Sequence, residues 1–463
     1  MTQKKIGLGS GVAICMGLIV ATSCLVSLGQ GIGLAGRGFI LPLAIVVVLN
    51  MFIAFSFSEL HNMMPKATGG LGQYMLVGLG PWASIVSNIS AYVFVAFFAL
   101  SVELAMCGIV LNGLIPAVPA GVFSIGILAA LFIVNLFGVD LFSKVQNVTV
   151  TLLIGSMFIM GVLALFKLGS GIAIAAEAME TPPMRGAGEL MSLSALAFWL
   201  FIGVEFIIPA ANDLKNPRRN VLLSMVIALV ILFVVQAILG TGMSHYVSLE
   251  TLRTSDMPHV AFAESLFGKG GAIWMSVVTV LASVSTVNTL LPSTGNILRG
   301  MAEEKMAPKI FARANKKNVP YCGMFMIVAV VAALILTGYV NSSGLINLLL
   351  AASCFWLVSY VLTHINVLVL RRRYPNAQRN KKLVLAGIPQ IIGILGNIYM
   401  IWNITSDPGD RLTIYKIFFI MLVLLAVYAF IWVGAVRKTK PFAPMYIGEL
   451  NIERGLSEVK TSL

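Results

Sequence analysis

Residues 198–217 read FWLFIGVEFIIPAANDLKNP. The first half is apolar enough to sit in lipid, yet Glu205 stands inside it, two positions after Gly203. An ionisable side chain at membrane depth normally faces a bundle interior or a water-filled cavity, and it marks function. Glycine is the residue at which a helix unwinds at least cost. On an unbroken helix of about 3.6 residues per turn, Trp199 and Glu205 lie about 120° apart. If both face one cavity the helix has to open between them, and Gly203 is the weak point.

The rest of the chain sets this stretch in a membrane. Of 463 residues, 59% are hydrophobic and 11% charged, and the mean hydropathy is +0.95. A soluble domain of this length needs far more polar surface. Apolar runs of roughly 20 residues recur from end to end, the length that crosses a hydrocarbon core. The expected fold is an all-α polytopic membrane protein with twelve transmembrane helices, at 11–36, 39–60, 82–113, 120–140, 145–168, 190–212, 220–244, 270–298, 321–340, 343–370, 384–405 and 412–436. A β-barrel would show short alternating strands instead. The start, MTQKKIGLGSG, runs into the first span without an obvious small-residue cleavage site, so it reads as a retained first span.

The net charge of +13 has a topological cause. With the N-terminus in the cytoplasm, 24 of the 31 basic residues fall on the inner side, from Lys4, Lys5, Lys66 and Lys144 to the tail. That imbalance places both termini on the cytoplasmic side of the cytoplasmic membrane. It adds attraction to anionic lipid and implies no nucleic-acid partner. The five cysteines, Cys15, Cys24, Cys107, Cys322 and Cys354, show neither metal spacing nor a disulfide framework, and read as small core residues. No metal site and no cofactor is expected.

No soluble domain is expected, so function has to reside where the apolar helices are interrupted. Span one, GLIVATSCLVSLGQGIGLAG (17–36), carries the small and polar run Ala21, Thr22, Ser23 and Cys24. Span six carries Ile202-Gly203-Val204-Glu205. Interruptions at corresponding positions of two halves point to a transporter's substrate site, where half-helix N-termini hold anionic groups and freed carbonyls hold cations. Small residues also serve as plain packing faces, which is the competing reading of span one alone.

Three elements resemble the amino acid–polyamine–organocation transporters. SFSELHNMMPKATGG (56–70) resembles that family's Glu-Leu…Pro-x-x-Gly-Gly element. FWLFIGVEFIIPAANDLKNPRRN (198–220) resembles its span-six signature, and is most similar to the arginine–agmatine exchanger branch, where a Trp precedes the Phe-Ile-Gly-Val-Glu run. NILRGMAEEKMAPKIFARANKKNVP (296–320) resembles its loop between spans eight and nine. The resemblance covers nearly the full chain.

It implies one transporter domain over 1–463, a five-plus-five inverted repeat (11–168 and 190–370) with broken helices one and six, two extra helices (384–436) and a cytoplasmic tail (437–463). It implies alternating-access transport of an amino acid or organic amine. Trp199 would be an aromatic lid over the substrate, Ile202 and Gly203 the unwound segment, Glu205 the proton-linked carboxylate, and Glu59 part of the cytoplasmic gate. The chain departs from the family in two places. Ala21-Thr22-Ser23-Cys24-Leu25 stands where the family has Gly-Ser-Gly-Ile-Phe, so hydroxyls of Thr22 and Ser23 replace glycine backbone as donors. VTVTLLIGSMF (148–158) lacks the span-five lysine of many proton-coupled members.

Glu103 lies in AYVFVAFFALSVELAMCG (91–108), on one helical face with Tyr92, Ala96 and Ala99. Two readings stand: a ligand-facing charge, or a carboxyl that is protonated or capped by a neighbouring hydroxyl near the outer end. With Glu205 it makes two buried carboxylates and no Lys or Arg deep in any span, which favours an amine-bearing ligand. Ser283, Ser285, Thr286 and Asn288 in span eight could supply oxygens for a sodium ion, or could pack helices. The coupling ion, H+ or Na+, and symport against exchange stay open, as do monomer against homodimer. The four histidines are scattered and no metalloprotease or nucleophile-elbow motif sits in a span, which argues against an enzyme. A channel would want a ring of charges or carbonyls. A transporter-like nutrient sensor differs only in lacking flux.

Overall fold

The computed structural model describes residues 5–65, 67, 70–137, 142–172, 186–338, 342–377, 379 and 385–449. Lys4, Lys66, parts of the 56–70 element and the tail beyond 449 lie outside the described residues. The described chain is helical and holds no strand, apart from one isolated parallel bridge between Ile6 and Leu214. This follows from lipid as solvent: backbone donors and acceptors have to pair within their own segment.

In chain order the helices are α1 (Leu8–Ile19), α2 (Thr22–Ala35), α3 (Ile40–Met63), α4 (Leu71–Gly78), α5 (Pro81–Asn88), α6 (Val95–Leu114), α7 (Ala120–Leu136), α8 (Phe142–Leu165), α9 (Ala187–Phe198), α10 (Pro217–Tyr246), α11 (Leu249–Thr254), α12 (Pro258–Glu303), α13 (Tyr321–Leu336), α14 (Ser342–Arg373), α15 (Ile388–Trp402) and α16 (Pro408–Trp432). A π-helical turn, Ile89–Phe94, joins α5 to α6. A 3₁₀ segment, Val204–Asp213, continues the line of α9. α12 turns at Gly268, whose φ of 65° only glycine adopts freely. Among the described residues, seven stretches are long and apolar enough to cross a membrane, and five further apolar helices are 10–17 residues long.

Span one is two helices. Val20 and Ala21 are extended (ψ 99° and 163°), so the break precedes Thr22, and Thr22, Ser23 and Cys24 form the first turn of α2. Span six opens after the 3₁₀ turn Trp199–Phe201: Ile202 is extended and Gly203 is left-handed at φ 103°. Beyond Gly203 the chain winds as 3₁₀, not α, with Pro209 inside it. Proline cannot donate the backbone bond an α-helix needs there. The two broken spans are tied at one end. Ile6 N–H donates to the Asp213 carbonyl (2.8 Å) and Lys215 N–H to the Ile6 carbonyl (2.9 Å).

The helix after the first break is closely enclosed. α2 packs against α6, α9, α10 and α12, and its side chains are almost all buried. α16 is the opposite case, with Phe419, Ile420, Leu424 and Ile431 exposed, as a lipid-facing helix should be. All five cysteines are free thiols. Residues 438–449 return over one end of the bundle as a strap. Trp82 N–H donates to the Pro441 carbonyl and Met445 N–H to the Leu76 carbonyl (both 3.0 Å), and the Phe442 ring lies 5.3 Å from that of Trp82.

Candidate functional site

The two breaks face one internal cavity of about 60 Å³. At roughly 10–15 Å³ per enclosed water, this is room for a short ligand or a few waters. Its walls come from four places. Ala21 and Ser23 belong to the first break, and Trp199, Ile202 and Phe206 to the second. Tyr92, Ala96, Ala99 and Glu103 line it from the π turn and α6. Thr286, Ser293 and Thr294 of α12, with Trp356 of α14, complete it. The alanines leave the volume that larger side chains would fill. The π turn carries Tyr92 into the wall, a use of π-bulges frequent at functional sites.

Four of the expected site residues stand behind this wall. Thr22 Oγ1 donates to the Thr279 carbonyl at 3.3 Å. The Cys24 thiol reaches the Ile19 carbonyl at 3.3 Å and the Trp199 carbonyl at 3.7 Å, partnering backbone that the breaks set free. Gly203 supplies the left-handed turn, with the Phe206 ring nearest to it. Glu205 is buried and does not line the cavity. Its two oxygens accept from Trp356 Nε1 (3.0 Å) and Tyr360 Oη (2.8 Å). Trp199 and Glu205 therefore do not share the cavity. Trp356 stands between, and its ring packs at 6.0 Å from both Tyr92 and Phe206.

Trp199 joins the two breaks, its Nε1 donating to Ser23 Oγ at 2.8 Å. Glu103 is buried. It lines the cavity, and it is satisfied: Ser23 N–H donates to Oε1 and Ser283 Oγ to Oε2, each at 2.9 Å.

The four span-eight oxygens are not gathered at one point. Ser283 turns to Glu103 and Thr22. Ser285 and Thr286 face a notch of about 10 Å³ beside Gly17 and Val20. Asn288 Oδ1 accepts from Asn135 Nδ2 of α7 at 2.6 Å and stands apart from that group. Glu59 is held by Arg371, which donates to both of its oxygens (2.9 and 2.6 Å), with Arg379 Nε 3.2 Å away.

Trp356 and Tyr360 were not among the residues expected at the site. They sit four apart in CFWLVSYVLTH (354–364), hence on one helix face, and that spacing is the available signal. Phe206, Ser293 and Thr294 carried none.

A bundle with two helices broken against a shared, buried, carboxylate-bearing cavity is the architecture of a secondary transporter. The chain belongs to the amino acid permease family, whose model matches residues 11–447. It is similar to the L-asparagine permease of Salmonella typhimurium, at 23% identity over 73% of this chain and 69% of that one. It is also similar to the putrescine transporter PotE of Escherichia coli, at 21% over 80% and 84%. An uncharacterized transporter of Bacillus subtilis, YdgF, matches at 22% over 89% and 92%. The protein is an integral membrane transporter of amino acids or amines, and not an enzyme.

Proposed function

We propose that the protein is a secondary active permease of the cytoplasmic membrane, moving an amino acid or related organic amine by alternating access. The observation that carries this is the cavity shared by the two broken helices, with Trp199 bridging them through Ser23. In this reading the twelve spans form a five-plus-five inverted repeat plus two helices, with both termini cytoplasmic. The seven stretches long and apolar enough to cross a membrane support a polytopic chain. Relatives named for an amino acid and for a diamine bracket the cargo class.

Trp199, Tyr92 and Ile202 contact the cargo, and Ala96 and Ala99 make room for it. Glu205 is the proton-linked group. Its carboxylate form is satisfied by two donors, from Trp356 and Tyr360. A proton on Glu205 turns one of its oxygens into a donor, which the tyrosine hydroxyl can meet by accepting, and weakens the charge-assisted bond from Trp356. Because Trp356 is also a cavity wall, that change reaches the cargo. The notch of Ser285 and Thr286 beside the first break supports a second reading, a sodium ion as coupling ion.

The test is uptake into proteoliposomes under an imposed pH gradient, with and without sodium. Saturable uptake that follows the pH gradient is expected. Uptake that never saturates would make the protein a channel, and saturable binding without flux would make it a sensor.

A further inference from the structure

Resting on that reading of the cavity, we infer that the cargo is a short organic cation bearing an amine and no free carboxylate. The first turn of a helix presents unbonded N–H groups and a partial positive charge, a ready seat for a carboxylate. α2 begins at the cavity, so its first turn is where a substrate carboxylate would dock. That seat is already filled by the chain itself. Glu103 Oε1 accepts the Ser23 N–H at 2.9 Å, and the neighbouring Ser23 hydroxyl accepts from Trp199. The second broken helix is similar. Glu205 lies in the first turn after Gly203, so that positive end also has its own acid.

The remaining walls agree. Among the described residues no lysine, arginine or histidine lines the cavity to pair with a second carboxylate. Such a group would instead face Glu103 across a few ångströms of water-poor space, where like charges repel strongly. An ammonium meets the reverse. Glu103, held by Ser23 and Ser283, is the acidic group of the cavity's wall. Tyr92, Trp199, Phe206 and Trp356 surround the space with aromatic faces that attract a cation. The cavity's small volume keeps the molecule short.

The test uses the full chain in proteoliposomes and in detergent, with amino acids and their decarboxylated counterparts as matched pairs: alanine with ethylamine, and ornithine with putrescine. In the wild type, at least one amine is expected to bind, by thermal shift and by uptake competition, at least tenfold more tightly than its amino acid. Glu103→Gln is expected to weaken that amine at least tenfold. Glu103→Ala, which uncovers the Ser23 N–H, is expected to narrow the gap within the pair. Amino acids bound as well as or better than their amines would overturn the inference and leave the permease reading standing. Undiminished amine affinity in Glu103→Gln would overturn it too. Absence of saturable uptake for any substrate, across both amines and the full set of amino acids, would sink the permease reading and this inference together. The wild-type pair comparison holds whether or not the variants fold.

Discussion

Glu205 and Trp199 act on the cavity from different distances, and their substitutions should read differently. Glu205→Gln keeps the shape and can still accept from Trp356 while donating to the Tyr360 oxygen, so folding should survive. The amide mimics the protonated acid and cannot titrate. Transport by the variant should therefore lose the pH dependence of the wild type, with the wild type converging on it as pH falls. A pH profile of uptake that matches the wild type would remove the proton role from this residue. Trp199→Phe keeps an aromatic wall and deletes the donor to Ser23. A neutral hydrogen bond of this kind is worth about 1 kcal/mol net, so substrate affinity should fall roughly fivefold. Titrating substrate against thermal stability measures it.

The two breaks were unequally legible in the sequence, and the backbone says why. Gly203 holds φ at 103°, a conformation that residues with a side chain rarely adopt, so glycine next to a lone acid announced the site. Gly203→Ala should cost about 1–2 kcal/mol, and the Phe206 ring would also have to yield. A lower melting temperature with reduced uptake is the expected result. The first break needs no glycine. Val20 and Ala21 are merely extended, a region open to any residue, so the small and polar run 21–24 read equally as a break or as a packing face. The missing glycines of span one are thus no obstacle to unwinding. Glu205's partners were hidden for another reason. Trp356 and Tyr360 lie about 150 residues away, and only the packing of α14 beside the second break brings them in. The spacing of α6, by contrast, put Tyr92, Ala96, Ala99 and Glu103 on one face, and all four line the cavity.

For the whole molecule, composition and span length were enough to read an all-helical membrane protein, because lipid leaves the backbone few choices. How the helices converge was not readable, since in lipid both inward and outward faces are apolar. The strap of residues 438–449 is a case in point. Its Phe442 contact with Trp82 and its two backbone bonds to α4 and α5 join parts of the chain more than 350 residues apart. This decides where the protein can be trimmed or carry a fusion. A stop after Arg437 strips the cover from Trp82 and leaves one backbone donor, the Trp82 N–H, and one acceptor, the Leu76 carbonyl, without their partners. It should lower the melting temperature by several degrees and shift the tryptophan emission to the red. A fluorescent reporter fused directly behind Arg437 would carry the same handicap, and a readout of expression from it would understate the stability of the intact chain.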